Sequence, residues 1–373
     1  MLTSAQFDQL NVPITDLYQT YEHSVINDIS RRLASSHIES AAWQMQRLTE
    51  SGLTYENALE QLSKVTGKSA AELRKVFDAA GVRSLAFDDR IYRAAGLKPL
   101  PLNLSPAMQN VLLQGLRKTG GAIRNLTMTT ALTAQEAFIS AADLAYVQVS
   151  TGVMSYGQAI KAAVKQVARQ GLTVLYPTGH KDRLDVAMRR AVLTGVAQTT
   201  GTLQLERAKE LGQDLVQTSA HIGARPTHEV WQGKVFSLSG KDTQYPDFLT
   251  VTGYGTVTGL CGINCRHSIF PFFKGISESA YTQATLDEYA DKTVTYNGKE
   301  LSVYEAIQKQ RSVEREIRKT KREAEALGSA KLDNTEEIAR IRKLQAQLRD
   351  FVNQTGLSRQ SSREGGRVLK VEV

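Results

Sequence analysis

The 373-residue sequence predicts an α+β fold: a mainly α-helical N-terminal region, then a compact α+β module with short strands, then a C-terminal helical hairpin. Three observations predict it. Through the first half, apolar residues recur three or four positions apart, as one face of a helix requires. Beyond Ser219 short apolar and β-branched runs lie between Gly, Pro, Asp and Asn, the pattern of strands joined by turns. Near the end, two helical patterns are separated only by residues 328–334.

Ile14, Leu17, Tyr18, Tyr21, Val25, Ile29 and Leu33 fall on one helical face with no internal Gly or Pro after Ile14. Ser69 and Glu72 read as a capping box opening a helix that Gly81 closes, with Gly52, Gly67 and Gly96 punctuating its neighbours. Pro99, Pro101 and Pro106 mark a subdomain boundary. Helical periodicity returns over residues 108–148, 156–170 and 182–211. Short strands are expected in 229–238 and 248–252. In TVTYNGKELSV, Asn297 and Gly298 separate two alternating runs and supply the positive φ angles of a type I′ hairpin turn. Helices follow over 304–327 and 335–353, the second suited to capping by Asn334 and Glu337. The ending SRQSSREGGRVLKVEV is polar and Gly-rich, and disorder is expected of it alone. The expected divisions are an N-terminal helical domain (1–100), a second helical region (101–215), the α+β module (216–303) and a helical hairpin with a flexible basic tail (304–373).

A hydrophobic content of 41% suits a globular protein. No apolar run approaches the roughly 20 residues that cross a bilayer, and MLTSAQFDQL lacks the pattern of a signal peptide, so synthesis and folding in a cytoplasm are expected. Two cysteines cannot build a disulfide framework. The net charge of +8 favours an anionic partner without requiring one. From Lys299 onward 17 Lys and Arg face 12 Asp and Glu, so most of the excess lies at the C-terminal end.

Two segments, SAHIGARPTHEVWQGKVFS and YGTVTGLCGINCRHSIFP, hold both cysteines, three of the six histidines and one of the two tryptophans. His221, Arg225, Pro226, His228, Trp231, Gly233, Cys261, Cys265, Arg266 and His267 therefore form the candidate site. Cys261, Cys265 and His267, completed by His228 or His221, offer thiolate and imidazole donors that suit Zn. The competing reading is a structural core of buried, reduced cysteines with histidines bonded to backbone. A third reading makes Cys265 a nucleophile with His228 as its base, oriented by Glu229 or Asn264, and with Arg225 and Arg266 priming the thiolate. No Cys-hydrolase signature accompanies that reading.

Arg311, Arg315, Arg318, Lys319, Lys321 and Arg322 are candidates for nucleic-acid contact, although interleaved glutamates also allow pairing along the helix. Apolar stripes at Val303, Ile307, Val313 and Ile317, and at Ile338, Ile341, Leu344, Leu348 and Phe351, need a partner: each other or a docking surface. The phosphate-binding G-x-x-x-x-G-K-[ST] pattern is absent, which argues against a packaging ATPase.

The runs HIGARPTHEVWQGKVFSLSG, YPDF, TGLCGINCRHSIFPFFKG, YNGKE and RSVEREIRKTKREAEAL, in that order, resemble the phage minor capsid protein 2 family, related to minor head proteins with a Mu-F-type domain. The likeness extends to TDLYQTYEHSVINDISRRL, YPTGHKDRLDVAMRRAVLTGVAQTTG and DFVNQTGLSRQSSRE, and so covers most of the chain. It departs at Ile263, where an aromatic residue is expected. The resemblance implies a low-copy structural protein of a tailed bacteriophage virion, located at the portal vertex of the head. The implied partners are the portal protein and other head proteins. Packaged double-stranded DNA and a part in its ejection are further expectations, and an enzymatic role is not implied.

Overall fold

A computed structural model describes residues 1–38 and 42–365. Helices dominate. The chain begins with α1 (Ser4–Leu10), α2 (Val12–Ser35) and α3 (Trp43–Ala94), and continues after a 3-10 turn at Leu102–Leu104 with α4 (Pro106–Thr127), α5 (Thr130–Ser150) and α6 (Tyr156–Gln170). A hairpin of β1 (Thr173–Leu175) and β2 (Lys181–Arg183) leads into α7 (Leu184–Glu210). Then come β3 (Leu215–Thr218), α8 (Pro226–Glu229), β4 (Val235–Ser237), α9 (Phe248–Thr252), β5 (Ile269–Pro271) and α10 (Gln283–Asp291). The hairpin β6 (Thr293–Tyr296) with β7 (Lys299–Ser302) precedes α11 (Val303–Ser329) and α12 (Thr335–Thr355). The mainly helical α+β expectation holds.

Several local expectations are corrected. No capping box opens a helix at Ser69, because α3 runs 52 residues through Gly52, Gly67 and Gly81. The Ser69 hydroxyl is buried and accepts from the Tyr18 hydroxyl at 3.2 Å. Gly81 serves packing, since a Cβ there would lie 3.2 Å from both Leu112 and Leu203. Gly96, at φ +81°, is the glycine in the left-handed conformation at the helix end. The periodic run over 108–148 is two helices, and β1–β2 is a hairpin the apolar pattern did not announce. Residues 248–252 are helical because the Asp247 carboxylate accepts from the Thr250 amide at 2.7 Å, an N-cap that outweighs the β-branched composition. Asn334 does not cap α12 with its side chain, which donates instead to the Ala324 carbonyl at 2.8 Å. Glu337 is drawn to Lys165 at 2.5 Å.

The 293–302 hairpin matches its sequence. Tyr296 pairs with Lys299, and Asn297 (φ +50°) and Gly298 (φ +73°) have the left-handed angles of the expected turn. The C-terminal end is ordered further than its composition suggests: Arg359 holds Glu364 through two bonds of 2.5 and 2.6 Å, and Lys321 donates to the Gly365 carbonyl at 3.0 Å. The rest of the expected flexible tail, 366–373, lies outside the described residues.

The chain forms two compact units. One comprises Met1–Ile14, Ala70–Ala122 and Arg189–Ile307. In it Leu85, Met108 and Leu203 form an apolar cluster, and Arg207, fully buried, meets Asp89 at 3.2 Å and Glu210 at 3.4 Å. There α4 and α7 approach through reciprocal glycine contacts. A Cβ on Gly115 would lie 2.7 Å from Thr199 Cγ2, and one on Gly195 would lie 2.7 Å from Thr119 Cγ2. The four-residue spacing on each helix, running in opposite directions, gives an antiparallel crossing.

The other unit comprises Thr15–Ser69, Ile123–Met188 and Gln308–Val373. Its core includes Tyr21, whose hydroxyl shares a 2.8 Å bond with the Thr130 hydroxyl, and a buried pairing of Arg322 with Glu22 at 3.7 Å. The cations of α6 meet the acidic groups of α11 and α12 and the turn between them: Lys161 with Asp333 at 3.1 Å, Lys165 with Glu337, and Arg169 with Glu323 at 2.9 Å.

Candidate functional site

The Cys/His residues meet beside a three-stranded antiparallel sheet of order β4-β3-β5. The central strand is fully buried and pairs Val216 with Phe236 on one side and Gln217 with Phe270 on the other. Before β4, Pro226 starts α8 where its missing N–H costs nothing, and His228 lies on that short helix. Residues 253–265 then fold as a tight loop in which Gly259 abuts the Gly253 carbonyl and a Cβ on Gly262 would lie 2.5 Å from the Val257 carbonyl. The loop delivers Cys265 and His267 just ahead of β5. Reciprocal bonds between Ser219 and Ser268, of 2.8 and 2.9 Å, tie that point to the end of β3.

His228, Cys265 and His267 converge, with their ligand atoms all within 4.8 Å of one another. His228 Nδ1 lies 3.4 Å from His267 Nδ1, and Cys265 Sγ lies 4.0 and 3.7 Å from those two nitrogens. The three residues are 2%, 1% and 1% exposed. His221 stacks on His267 with ring centres 4.4 Å apart, and Trp231 covers His228 and His267 at 4.6 and 4.8 Å. Cys261 is buried and its backbone bonds to the Cys265 sulfur, but its own sulfur is not among the clustered ligand atoms and lies against Gly201, where a Cβ would come within 2.8 Å of it. Of the four metal candidates, the fold gathers three and leaves Cys261 outside the cluster.

Hydrogen bonds set the protonation of the two rings. His228 Nε2 lies 2.8 Å from the Thr258 carbonyl, which only accepts, so this nitrogen carries the proton. The side-chain oxygen of Gln232 accepts from the His221 amide at 3.1 Å, and the same oxygen lies 3.1 Å from His267 Nε2, which must donate. Burial pulls the His228 imidazole down to about 4 and His267 well below the ordinary range, with neighbouring cations and histidines adding to both. Both Nδ1 atoms are therefore lone pairs facing each other and the sulfur. Sequence reasoning missed Gln232 and Thr258. Gln232 stood in the dense segment beside Trp231, whereas the role of a backbone carbonyl leaves no trace in residue type.

This geometry does not suit a nucleophile. Burial pushes the Cys265 thiol up, and His228 is a poor base at neutral pH. The Thr258 carbonyl orients that ring, in place of the expected Glu229 or Asn264. Arg225 donates to the Ile263 carbonyl at 2.8 Å and Arg266 to Asp8 at 2.7 Å; both charges favour the Cys265 thiolate, as expected, but burial outweighs them. Gly233, at φ +72°, passes its carbonyl to Gln217 at 2.7 Å.

The six basic candidates of α11 are dispersed. Arg322 is 3% exposed and donates to the Ala168 carbonyl at 3.1 Å; Arg318 meets Asp185 at 3.1 Å and also donates to the Arg363 carbonyl. Lys321 holds the Gly365 carbonyl, and Lys319 lies 3.5 Å from Glu316. Arg311 is half-buried, and Arg315 is exposed.

Residues 2–353 match the family described as phage minor capsid protein 2. A protein of Lactococcus phage LL-H, described as a structural protein, is 25% identical over 346 residues, covering 87% of this chain and 89% of the relative. A structural protein of Lactococcus phage mv4 is 34% identical over 116 residues, 30% of this chain and 85% of that relative. No solved structure matches. Since the family match runs from the first helix to the last, through both units and the Cys/His cluster, the chain belongs to the phage minor capsid protein 2 family.

Proposed function

We propose that this chain is a low-copy structural component of the phage head, seated at the portal vertex against the portal protein and other head proteins. The observation that carries the reading is the extent of the likeness to a phage structural protein, 87% of this chain against 89% of the relative. No helix among the described residues is long and apolar enough to cross a membrane. Mass spectrometry of purified virions should find the chain at a few copies per particle, and reconstruction of heads without imposed symmetry should place its density at the portal vertex. Absence from mature virions, with abundant protein in infected cells, would overturn the assignment.

Contact with packaged DNA is a second proposal, and the fold redirects it. Arg318 and Arg322 are engaged within their own unit, whereas Arg315 on α11 and Arg342, Lys343 and Arg349 on α12 are exposed. Four phosphate contacts predict a slope of about −3.6 for the logarithm of affinity for duplex DNA against the logarithm of salt. The full chain should show that slope, and neutralising the four exposed residues should flatten it. Binding that is absent at low salt, or insensitive to salt, argues instead for protein docking through this hairpin.

A further inference from the structure

We infer that His228, Cys265 and His267 bind one zinc ion, through His228 Nδ1, Cys265 Sγ and His267 Nδ1, with Cys261 excluded and a water molecule at the fourth position. The first support is distance. Zinc bonds of about 2.0–2.1 Å to nitrogen and about 2.3 Å to sulfur, at tetrahedral angles, separate two nitrogens by about 3.3 Å and a nitrogen from sulfur by about 3.6 Å. The cluster has 3.4 Å between its nitrogens and 3.7 and 4.0 Å from them to the sulfur.

The second support is the proton count. Each ring gives its one N–H to a fixed oxygen, the Thr258 carbonyl or the Gln232 side chain, so the two Nδ1 lone pairs are turned inward. The thiol brings a single proton to a space shared by two nitrogens and a sulfur. A cation satisfies all three donors at once, and its binding displaces that thiol proton to solvent, leaving the site with a net charge of +1. An imidazole that donates its outer N–H to a carbonyl or amide oxygen has the usual arrangement around a ligated metal, which fixes the ring and strengthens the inner nitrogen as a donor. Thiolate with imidazole favours zinc over magnesium or calcium, which take oxygen donors. The nearby positive charges of Arg225 and Arg266 are held by Ile263 and Asp8 oxygens. The ion would join α8 to the chain entering β5, segments 37 and 39 residues apart in sequence.

The test uses the full chain, purified without chelator. Elemental analysis should return about one zinc per chain after dialysis. Cys261→Ser should keep that stoichiometry, whereas Cys265→Ser and His267→Gln should each lower it at least tenfold. X-ray absorption of the wild-type protein covers the case in which those variants fail to fold, and should show one sulfur with nitrogen and oxygen neighbours. Folded wild-type protein that holds less than a tenth of an equivalent and takes up none from added zinc chloride would overturn the inference. Two sulfurs around the ion, or loss of zinc in a folded Cys261→Ser protein, would overturn it equally.

Discussion

At the scale of single residues, Asp88 makes stability depend on pH. Its carboxyl is 1% exposed and accepts from Gln204 at 2.9 Å, and burial pushes it up to about 7 despite that bond and Arg207 nearby. The folded chain therefore keeps a proton that the unfolded chain releases above about pH 4. Stability contributed by this group is present at acid pH and declines as pH rises toward 7, by up to about 1.4 kcal/mol per pH unit. The Met1 amino group, 4.0 Å away, is lowered by burial to about 6, so the cleanest window lies between about pH 4 and 5.5, where that group stays largely protonated in both states. Urea unfolding there should show a decline that Asp88→Asn removes; equal slopes for the two proteins would refute the account. Gly233 offers a second test. Its φ of +72° and the 2.6 Å separation between a Cβ and Leu286 Cδ2 predict that Gly233→Ala lowers stability by about 1–3 kcal/mol, read as a reduced melting temperature. An unchanged melting temperature would mean that Leu286 on α10 yields freely.

Among elements, the α4–α7 crossing is the most exacting. Gly195→Ala should destabilise by about 1–3 kcal/mol, because Thr119 is β-branched and has few rotamers into which to retreat. Adding Thr119→Ala should recover part of that loss, and strict additivity in denaturant melts would show that the two positions do not press on each other. The same crossing shows what a sequence conceals. Asn297-Gly298 could be read because an adjacent pair of residues supplies the turn angles. Gly81 could not, since its value lies in Leu112 and Leu203, residues far along the chain, and a helix-ending glycine looks the same until its neighbours are known. Asp247 carried a legible cap that the β-branched residues after it disguised. In the candidate site the donor types were plain from composition, but the choice of Cys265 over Cys261 depended on which sulfur the 253–265 loop turns toward the histidines. Arg318 and Arg322 looked like exposed cations because their partners, Asp185 and Glu22, lie far away in sequence.

For the molecule as a whole, the C-terminal hairpin is part of a larger assembly of segments. Ile317, Leu327, Leu348 and Phe351 are buried in a unit whose other members are Thr15–Ser69 and Ile123–Met188, and Arg322 reaches the Ala168 carbonyl within it. A fragment spanning 293–373 should therefore lack cooperative thermal unfolding and bind hydrophobic dyes, while the full chain melts sharply. A sharp transition in the fragment would show that the hairpin is self-sufficient. Each unit is interleaved in sequence, one needing Met1–Ile14 together with Arg189–Ile307, the other Thr15–Ser69 together with residues after Gln308. At about 5–20 residues per second, a ribosome that has made residue 15 needs roughly 15–60 s more to reach residue 308. During that interval Tyr21 can already meet Thr130, but the buried Glu22 carboxylate waits for Arg322. The unit that holds the earliest long helix is thus the later of the two to gain all its segments, since the other has its last one at Ile307.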